Sequence, residues 1–206
     1  MIVNVFFDTE FTDLTKMGSL VSIGLINEIG DRTFYAELTD TYNRFSCSEF
    51  VRSNVLPVLN SEPLKPPLSN NNIHAKLSLA ETKYYLHQWF ENQIELIQLW
   101  SDAPFYDWFY VQELFKAGFP SNLIRTPKSL VVDDSSLKKL FEARVVQAYT
   151  INRLTRHHAL NDARVAREAW LEIKSLITET NQYESFLPYF HNLDLEHIKQ
   201  DDRRRT

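Results

Sequence analysis

The sequence predicts an α/β fold, a mixed sheet of antiparallel hairpin strands and parallel strands covered by helices. Three observations carry that expectation. Val3, Val5, Phe6 and Phe7 open the chain as a β-branched and aromatic run, the mark of a strand buried on both faces. LVSIGLINE (20–28) and RTFYAEL (32–38) flank Ile29-Gly30-Asp31, a turn that makes the two an antiparallel hairpin. Beyond residue 77, helical and strand-like apolar spacings alternate, as in parallel αβ units whose helices cover a sheet.

The elements follow in order. Residues 2–8 form the first strand and the hairpin supplies the next two. Ser46 or Ser48 caps a short helix that stops near Pro57. SEPLKPPLSNNN (61–72) is rich in proline and asparagine and reads as a loop able to gate a site. Residues 77–93 have helical spacing, with Leu79, Tyr85, Leu86, Trp89 and Phe90 on one face. IELIQLWS (94–101) is a strand, residues 103–119 a helix closed by Gly118 as its C-cap. A strand at 128–134 and helices at 135–143 and 159–177 complete the pattern.

At 206 residues the length suits one domain, since roughly 100–200 residues is the usual size. We read 1–206 as a single domain, with 182–206 a polar C-terminal extension. No apolar run approaches the ~20 residues that span a bilayer, and the start lacks the basic and apolar regions of a signal peptide. No membrane partner is expected. The single cysteine, Cys47, excludes an internal disulfide and a cysteine zinc site, which points to a cytoplasmic location. A net charge of −5 argues against a broad duplex-DNA binder, but not against an enzyme that holds a short nucleic-acid end.

The end of the first strand reads FFDTEF. Residues i and i+2 of a strand share a face, so Asp8 and Glu10 lie side by side. Two such carboxylates repel and lose hydration unless a cation sits with them. Three further residues bear on this pair: Asp107, at the start of the helix after IELIQLW; Asp162, in the first turn of the helix at 159–177; and His157, just before that helix. Taken singly, each has a plainer reading. Asp107 and Asp162 suit helix N-termini, and His157 suits a surface, with His158 an equal candidate by composition.

Together, in order, they resemble the DEDDh 3′–5′ exonucleases of the ribonuclease-H-like superfamily. FDTEFT resembles the first motif (Asp8, Glu10), F-Y-D-W the second (Asp107), and H-H-A-L-N-D-A the third (His157, Asp162). The LWSDAPFYDW context and VLPVL resemble a small bacterial and phage group of 3′–5′ exoribonucleases. One departure is Ala103, where many members carry asparagine; Asp102 beside it is the other candidate for the second-motif acid. The resemblance implies a ribonuclease-H-like mixed sheet and two ions of Mg²⁺ or Mn²⁺ per site held by Asp8, Glu10, Asp107 and Asp162. It further implies His157 as the base that deprotonates the attacking water, and nucleoside monophosphates released from single-stranded or overhanging 3′ ends. RNA is favoured narrowly over DNA, and a homodimer is left open. Hard oxygen ligands suit such ions, and two-ion sites stabilise both the attacking and the leaving oxygen of a phosphodiester.

Around the third motif, Arg153, Arg156, Arg164 and Arg167 are candidate phosphate ligands, Arg156 and Arg164 foremost. Arg164 and Arg167 also fit a solvated helix face, and Lys138 and Lys139 are weaker candidates. Phe11 could stack on a terminal base or belong to the core, and Thr12 could hold the 3′ hydroxyl. Trp108 reads as core, while His74, His87, His191 and His197 read as structural or surface residues. Two rivals remain. A haloacid-dehalogenase-like phosphatase also starts with an aspartate-ended strand and would use the acidic pair of VVDD (131–134), but it wants D-x-D and leaves H-H-A-L-N-D unexplained. A non-catalytic nucleic-acid-binding module on the same fold would have no use for a complete acid set, which costs stability.

Overall fold

Strand β1 (Ile2–Phe11) is the axis around which the other elements are arranged. The structure, a computed structural model, describes residues 1–14, 18–63, 71–130 and 135–179. The remaining strands are β2 (Leu20–Asn27), β3 (Thr33–Leu38), β4 (Asn72–Leu77), β5 (Leu96–Ser101) and β6 (Lys128–Ser129). They form one six-stranded sheet in the order β4-β3-β2-β1-β5-β6. Only β2 runs against its neighbours; β3 and β4, β1 and β5, and β5 and β6 pair in parallel. This is the ribonuclease-H-like mixed sheet expected above, a three-stranded hairpin meander extended by parallel strands.

Alternation along the strands divides the core in two. Val5 and Phe7 of β1, Ile23 and Leu25 of β2 and Phe34 and Ala36 of β3 face α1 (Leu79–Glu91) and α2 (Pro104–Phe115) through Leu86, Trp89, Phe90, Trp108 and Phe115. Phe6, Ile26 and Tyr35 point the other way. They pack with α3 (Ser135–Asn152) and α4 (Ala159–Glu179) through Phe141, Leu160, Ala163, Trp170 and Ile173. Asp8 and Glu10 have the parity of Phe6 and share the α4 face. Trp108 is core, as read from the sequence.

Several elements differ from expectation. β1 runs three residues past Asp8, so the acidic pair lies inside the strand. β4 was not foreseen, although buried Ile73, Ala75 and Leu77 alternate with exposed Asn72, His74 and Lys76, the period of a half-buried strand. In α1, Leu86, Trp89 and Phe90 are buried but Leu79 is exposed; the residue that completes the buried face is Thr82. That helix starts one residue beyond Ser78, whose hydroxyl accepts from Glu81 N–H while Glu81 accepts from Ser78 N–H, a capping box.

Gly118 is not a left-handed cap. α2 ends at Phe115, Gly118 N–H donates to its carbonyl at 2.8 Å, and among the described glycines only Gly30 has positive φ. α3 continues to Asn152, nine residues past its expected end. The segment after Ser48 is a short irregular helix, Val51–Val58, with Pro57 in its last turn. Most of the 61–72 loop (64–70), VVDD (131–134), and the 182–206 extension with His191 and His197 lie outside the described residues. Among the described helices, none is long and apolar enough to cross a membrane.

Two glycines fix where α4 sits. A Cβ on Gly24 would collide with the backbone of Ala159 and Leu160, so its bare Cα lets the first turn of α4 rest directly on β2. Gly24 is the register partner of Asp8, which brings α4 over the acidic pair. At the hairpin turn, Gly30 adopts φ +91°, and a side chain there would also press on the Arg167 guanidinium. Arg167 donates from Nε to Glu28 O (2.8 Å) and from Nη2 to Ile29 O (2.9 Å), pinning the turn to α4. Its hydrogen bonds thus serve the fold.

Gly24→Ala should destabilise the protein by about 3 kcal/mol, because the clash is with backbone and a side chain cannot rotate away. Thermal denaturation should show a midpoint lowered by roughly 6–12 °C for a chain of this length. An unchanged midpoint would mean that α4 does not depend on this contact.

Candidate active site

β5 accompanies β1 only from Ile2 to Phe6, and it ends at Ser101. From Asp8 onward that edge of β1 has no strand beside it, and its outward N–H groups need another acceptor. Asp107, in the first turn of α2, supplies one. Its Oδ1 accepts from Thr9 N–H (3.0 Å) and from the Thr9 hydroxyl (2.6 Å), and Oδ2 accepts from the Ser101 hydroxyl. Ser101 Oγ in turn accepts from Ala103 N–H at 2.9 Å. Ala103 provides no side-chain cap for α2, and Ser101 ties the start of that helix to Asp107 through these two bonds. The Asp107 side chain is buried and rigidly held, with its carboxylate at the gap where β5 leaves off.

On the opposite face, Asp162 occupies the first turn of α4 and is fixed twice. Tyr149 donates its hydroxyl to Oδ1 at 2.6 Å, and the backbone N–H of His157 donates to Oδ2 at 3.0 Å. His157 lies outside the helix with φ +62°, a left-handed conformation that is uncommon for a residue with a side chain. Its ring meets the exposed Phe50 edge-on at 4.9 Å.

These anchors bring two groups of potential ligand atoms together. Asp8, Asp102 and Asp107 form one; Glu10, His157 and Asp162 form the other. Within each, the atoms lie within 4.8 Å of one another. All five residues expected at the site are thus assembled, and both second-motif candidates reach Asp8: Asp107 buried and anchored, Asp102 exposed. His158 points elsewhere, stacked on Tyr35 at 4.2 Å.

The electrostatics are those of crowded carboxylates. Burial, then the charges of Asp107, Asp162, Glu10 and Asp102, hold the Asp8 carboxyl well above its ordinary range. Burial and then Asp162 and Asp107 push Glu10 up to about 8. Burial also raises Asp107 to about 7, against the hydrogen bonds from Ser101 and Thr9, and Asp162 to about 6, against those from Tyr149 and His157. Oδ2 of Asp8 is buried with no hydrogen-bond partner. An orphaned carboxylate oxygen amid like charges fits a divalent cation, and the oxygen-rich donor set fits Mg²⁺ or Mn²⁺.

The remaining expected site residues are placed as follows. Phe11 lies half-buried at the core edge, its ring stacked on Tyr110 (5.1 Å) and Tyr106 (5.9 Å). Thr12 is buried; its hydroxyl and carbonyl accept from Ser19 and Ser48 N–H, and its own N–H donates to Ser19 O. Arg156 is exposed with its guanidinium 4.4 Å from the Tyr149 ring centroid, close enough to influence Asp162 and His157. Arg164 lines a separate cavity. Lys138, Lys139 and Arg153 are exposed. Sequence reasoning missed Thr9, Ser101 and Tyr149, which hold the acids, and the exposed aromatic group Phe105, Tyr106 and Phe109. The F-Y pair just before Asp107 was the available signal for the last.

No protein-family model matches the sequence, and no curated protein is significantly similar to it. Among solved structures, the catalytic unit of Neurospora crassa Pan2, comprising a protease and a nuclease domain, aligns with a TM-score of 0.49 and 12% identity over 90% of this chain and 29% of that one. The chain therefore spans less than a third of that protein. The fold assignment above rests on strand order and direction.

Two outcomes are expected. In metal-free protein the four carboxyls hold protons that the unfolded chain, with carboxyls near ~4, has released. Folding stability should therefore fall as pH rises from about 4 to about 8. A divalent cation present at ~100-fold its Kd adds about 2.7 kcal/mol, so Mn²⁺ should raise the melting midpoint at pH 8 by roughly 5–10 °C and do less at pH 5. A midpoint indifferent to Mn²⁺ at pH 8 would exclude cation binding here. Thr9→Val, which removes the hydroxyl donated to buried Asp107, should cost about 1–3 kcal/mol in chemical denaturation and weaken Mn²⁺ binding; loss of neither would show that the contact is dispensable.

Proposed function

We propose that this chain is a metal-dependent 3′–5′ exonuclease that removes nucleoside monophosphates from single-stranded or overhanging 3′ ends, RNA in narrow preference to DNA. The observation that carries the proposal is the buried, unpartnered Oδ2 of Asp8, set among the carboxylates of Asp107, Glu10 and Asp162 with His157 beside them. Polarity of attack, the sugar preference and any homodimer rest on the motif resemblance, and action as one domain rests on the chain's length.

In this reading Asp8, Glu10, Asp107 and Asp162 hold two divalent ions. Bound ions would neutralise the phosphodiester and stabilise its attacking and leaving oxygens. His157 takes the proton of the attacking water. Burial and the Arg156 charge keep its imidazole below its ordinary pKa, so it is unprotonated and competent as a base at neutral pH. The His157 N–H bond to Asp162 ties the base to the same helix turn as a metal-binding carboxylate, fixing their relative position. Phe11, with Tyr106 behind it, offers a face on which the terminal base can stack. Arg156 supplies positive charge to the phosphate, and the Thr12 segment supports the 3′ hydroxyl.

The test uses 3′-overhang RNA and the matching DNA, each 5′-labelled, with Mg²⁺, Mn²⁺ or EDTA. A ladder shortening from the 3′ end is expected with metal, absent in EDTA and in Asp8→Ala. His157→Ala should lower the rate by at least about 100-fold, and the wild-type rate should rise with pH on the acid side of an ordinary imidazole, the direction in which burial and Arg156 move His157, and then level off. A metal-loaded protein that cleaves neither substrate would contradict the proposal.

A further inference from the structure

On the same sheet face as the acids, a second feature has the opposite electrical character. A row of register partners crosses the sheet from Asp8 to Gly24 to Tyr35 to His74. Adjacent strands lie about 4.8 Å apart, so His74 stands roughly 14 Å from Asp8 along this row. Between α4 and this β3–β4 end is a cavity of about 450 Å³ whose walls include Tyr35, His74, His158, Asn60, Asn161 and Arg164. None of its lining residues is acidic, in a chain whose net charge is −5.

The charged group in this cavity is unspent. Arg164 is half-buried, and among the described residues its guanidinium makes no hydrogen bond or ion pair; the carboxylate acting on it is that of Glu168, one turn along α4. The walls are held in place. His74 bonds through Nε2 to Thr33 Oγ1 at 2.7 Å, His158 stacks on Tyr35, and the His158 Nδ1 is buried without a hydrogen-bond partner. Glu37, which does not line the cavity, accepts at Oε1 from the Tyr35 hydroxyl and from Asn60 and Ser61 N–H, and so shapes the rim. The left-handed turn at His157 separates two consecutive imidazoles, one to the acids and the next to this cavity.

We propose that this cavity is a second site, distinct from the acid cluster, that receives a phosphate group of a nucleotide on Arg164, with the imidazoles and carboxamides of His74, His158, Asn60 and Asn161 around it. A guanidinium fork matches phosphate geometry through paired N–H donors. The volume is that of a small-molecule site, and the Tyr35–His158 stack gives it an aromatic wall. Two sources can supply the group: a phosphate of the strand held at the acids, or a free nucleotide. Only the first rests on the nuclease reading.

The test is calorimetric titration in EDTA, where no cleavage occurs, with inorganic phosphate, AMP and a short single-stranded RNA. Wild type is compared with Arg164→Gln and, as a control, Arg125→Gln, an exposed arginine on the β5–β6 connection. Arg164→Gln removes no internal hydrogen bond and should melt like wild type. At least one probe should bind wild type and lose about tenfold or more in Arg164→Gln, but not in Arg125→Gln. AMP binding as tightly as RNA assigns the site to free nucleotide; RNA binding more tightly, with the same loss, assigns it to the strand. Nitrogen-15 NMR should show the Arg164 Nε–H resonance moving with the bound probe. No binding by any probe, or equal binding by Arg164→Gln, would overturn the proposal, whether or not the protein proves to be a nuclease.

Discussion

The gap left where β5 stops and β1 runs on is the constraint from which the site follows. Five residues of β1, Phe7 to Phe11, lie beyond its last register pair with β5, and a strand edge with unpaired N–H groups is costly to bury. Asp107 closes it by accepting from Thr9, both backbone and side chain. A carboxylate thereby stands where a strand carbonyl would have been. Because Thr9 faces α2 while Asp8 and Glu10 face α4, the same short segment collects acids from both layers of the fold. A continuous β5 would have stabilised the sheet and left no room for the cluster.

Crowding the acids destabilises the metal-free protein, and the structure meets that cost in several places. Asp107 has three donors, and Asp162 has two. Asp8 keeps one oxygen with none. Satisfied carboxylates are held in position, whereas the unsatisfied one is free to bind. This asymmetry is compatible with a cation among these carboxylates and differs from a solvated acidic patch, in which water would hydrate every oxygen. The raised pKa values express the same imbalance: without a cation, protons substitute for it.

Much of this was legible in the sequence because it is local. The i, i+2 spacing of Asp8 and Glu10, the first-turn positions of Asp107 and Asp162, and His157 ahead of a helix are short-range patterns, and the structure assembles all five. Contacts across the fold were not legible. Nothing near Gly24 announces that the backbone of Ala159 will lie upon it, and Tyr149 lies beyond residue 143, where its helix was expected to end. Thr9, between two acids in sequence, holds a third across the fold. Strand β4 was hidden by its proline- and asparagine-rich approach, and it proves to form one wall of the Arg164 cavity through His74. Arg167 and Arg164, alike in sequence, separate by what they meet: the first binds two carbonyls of a turn, the second none.

The most direct measurement is the anomalous diffraction of crystals grown with Mn²⁺, recorded on wild type and on Asp8→Asn. The account predicts manganese peaks against the carboxylates of Asp8, Glu10, Asp107 and Asp162 in the wild type, and their loss or marked weakening in the variant. A wild-type crystal with no manganese at these carboxylates, or with peaks that persist when Asp8 is replaced, would contradict it.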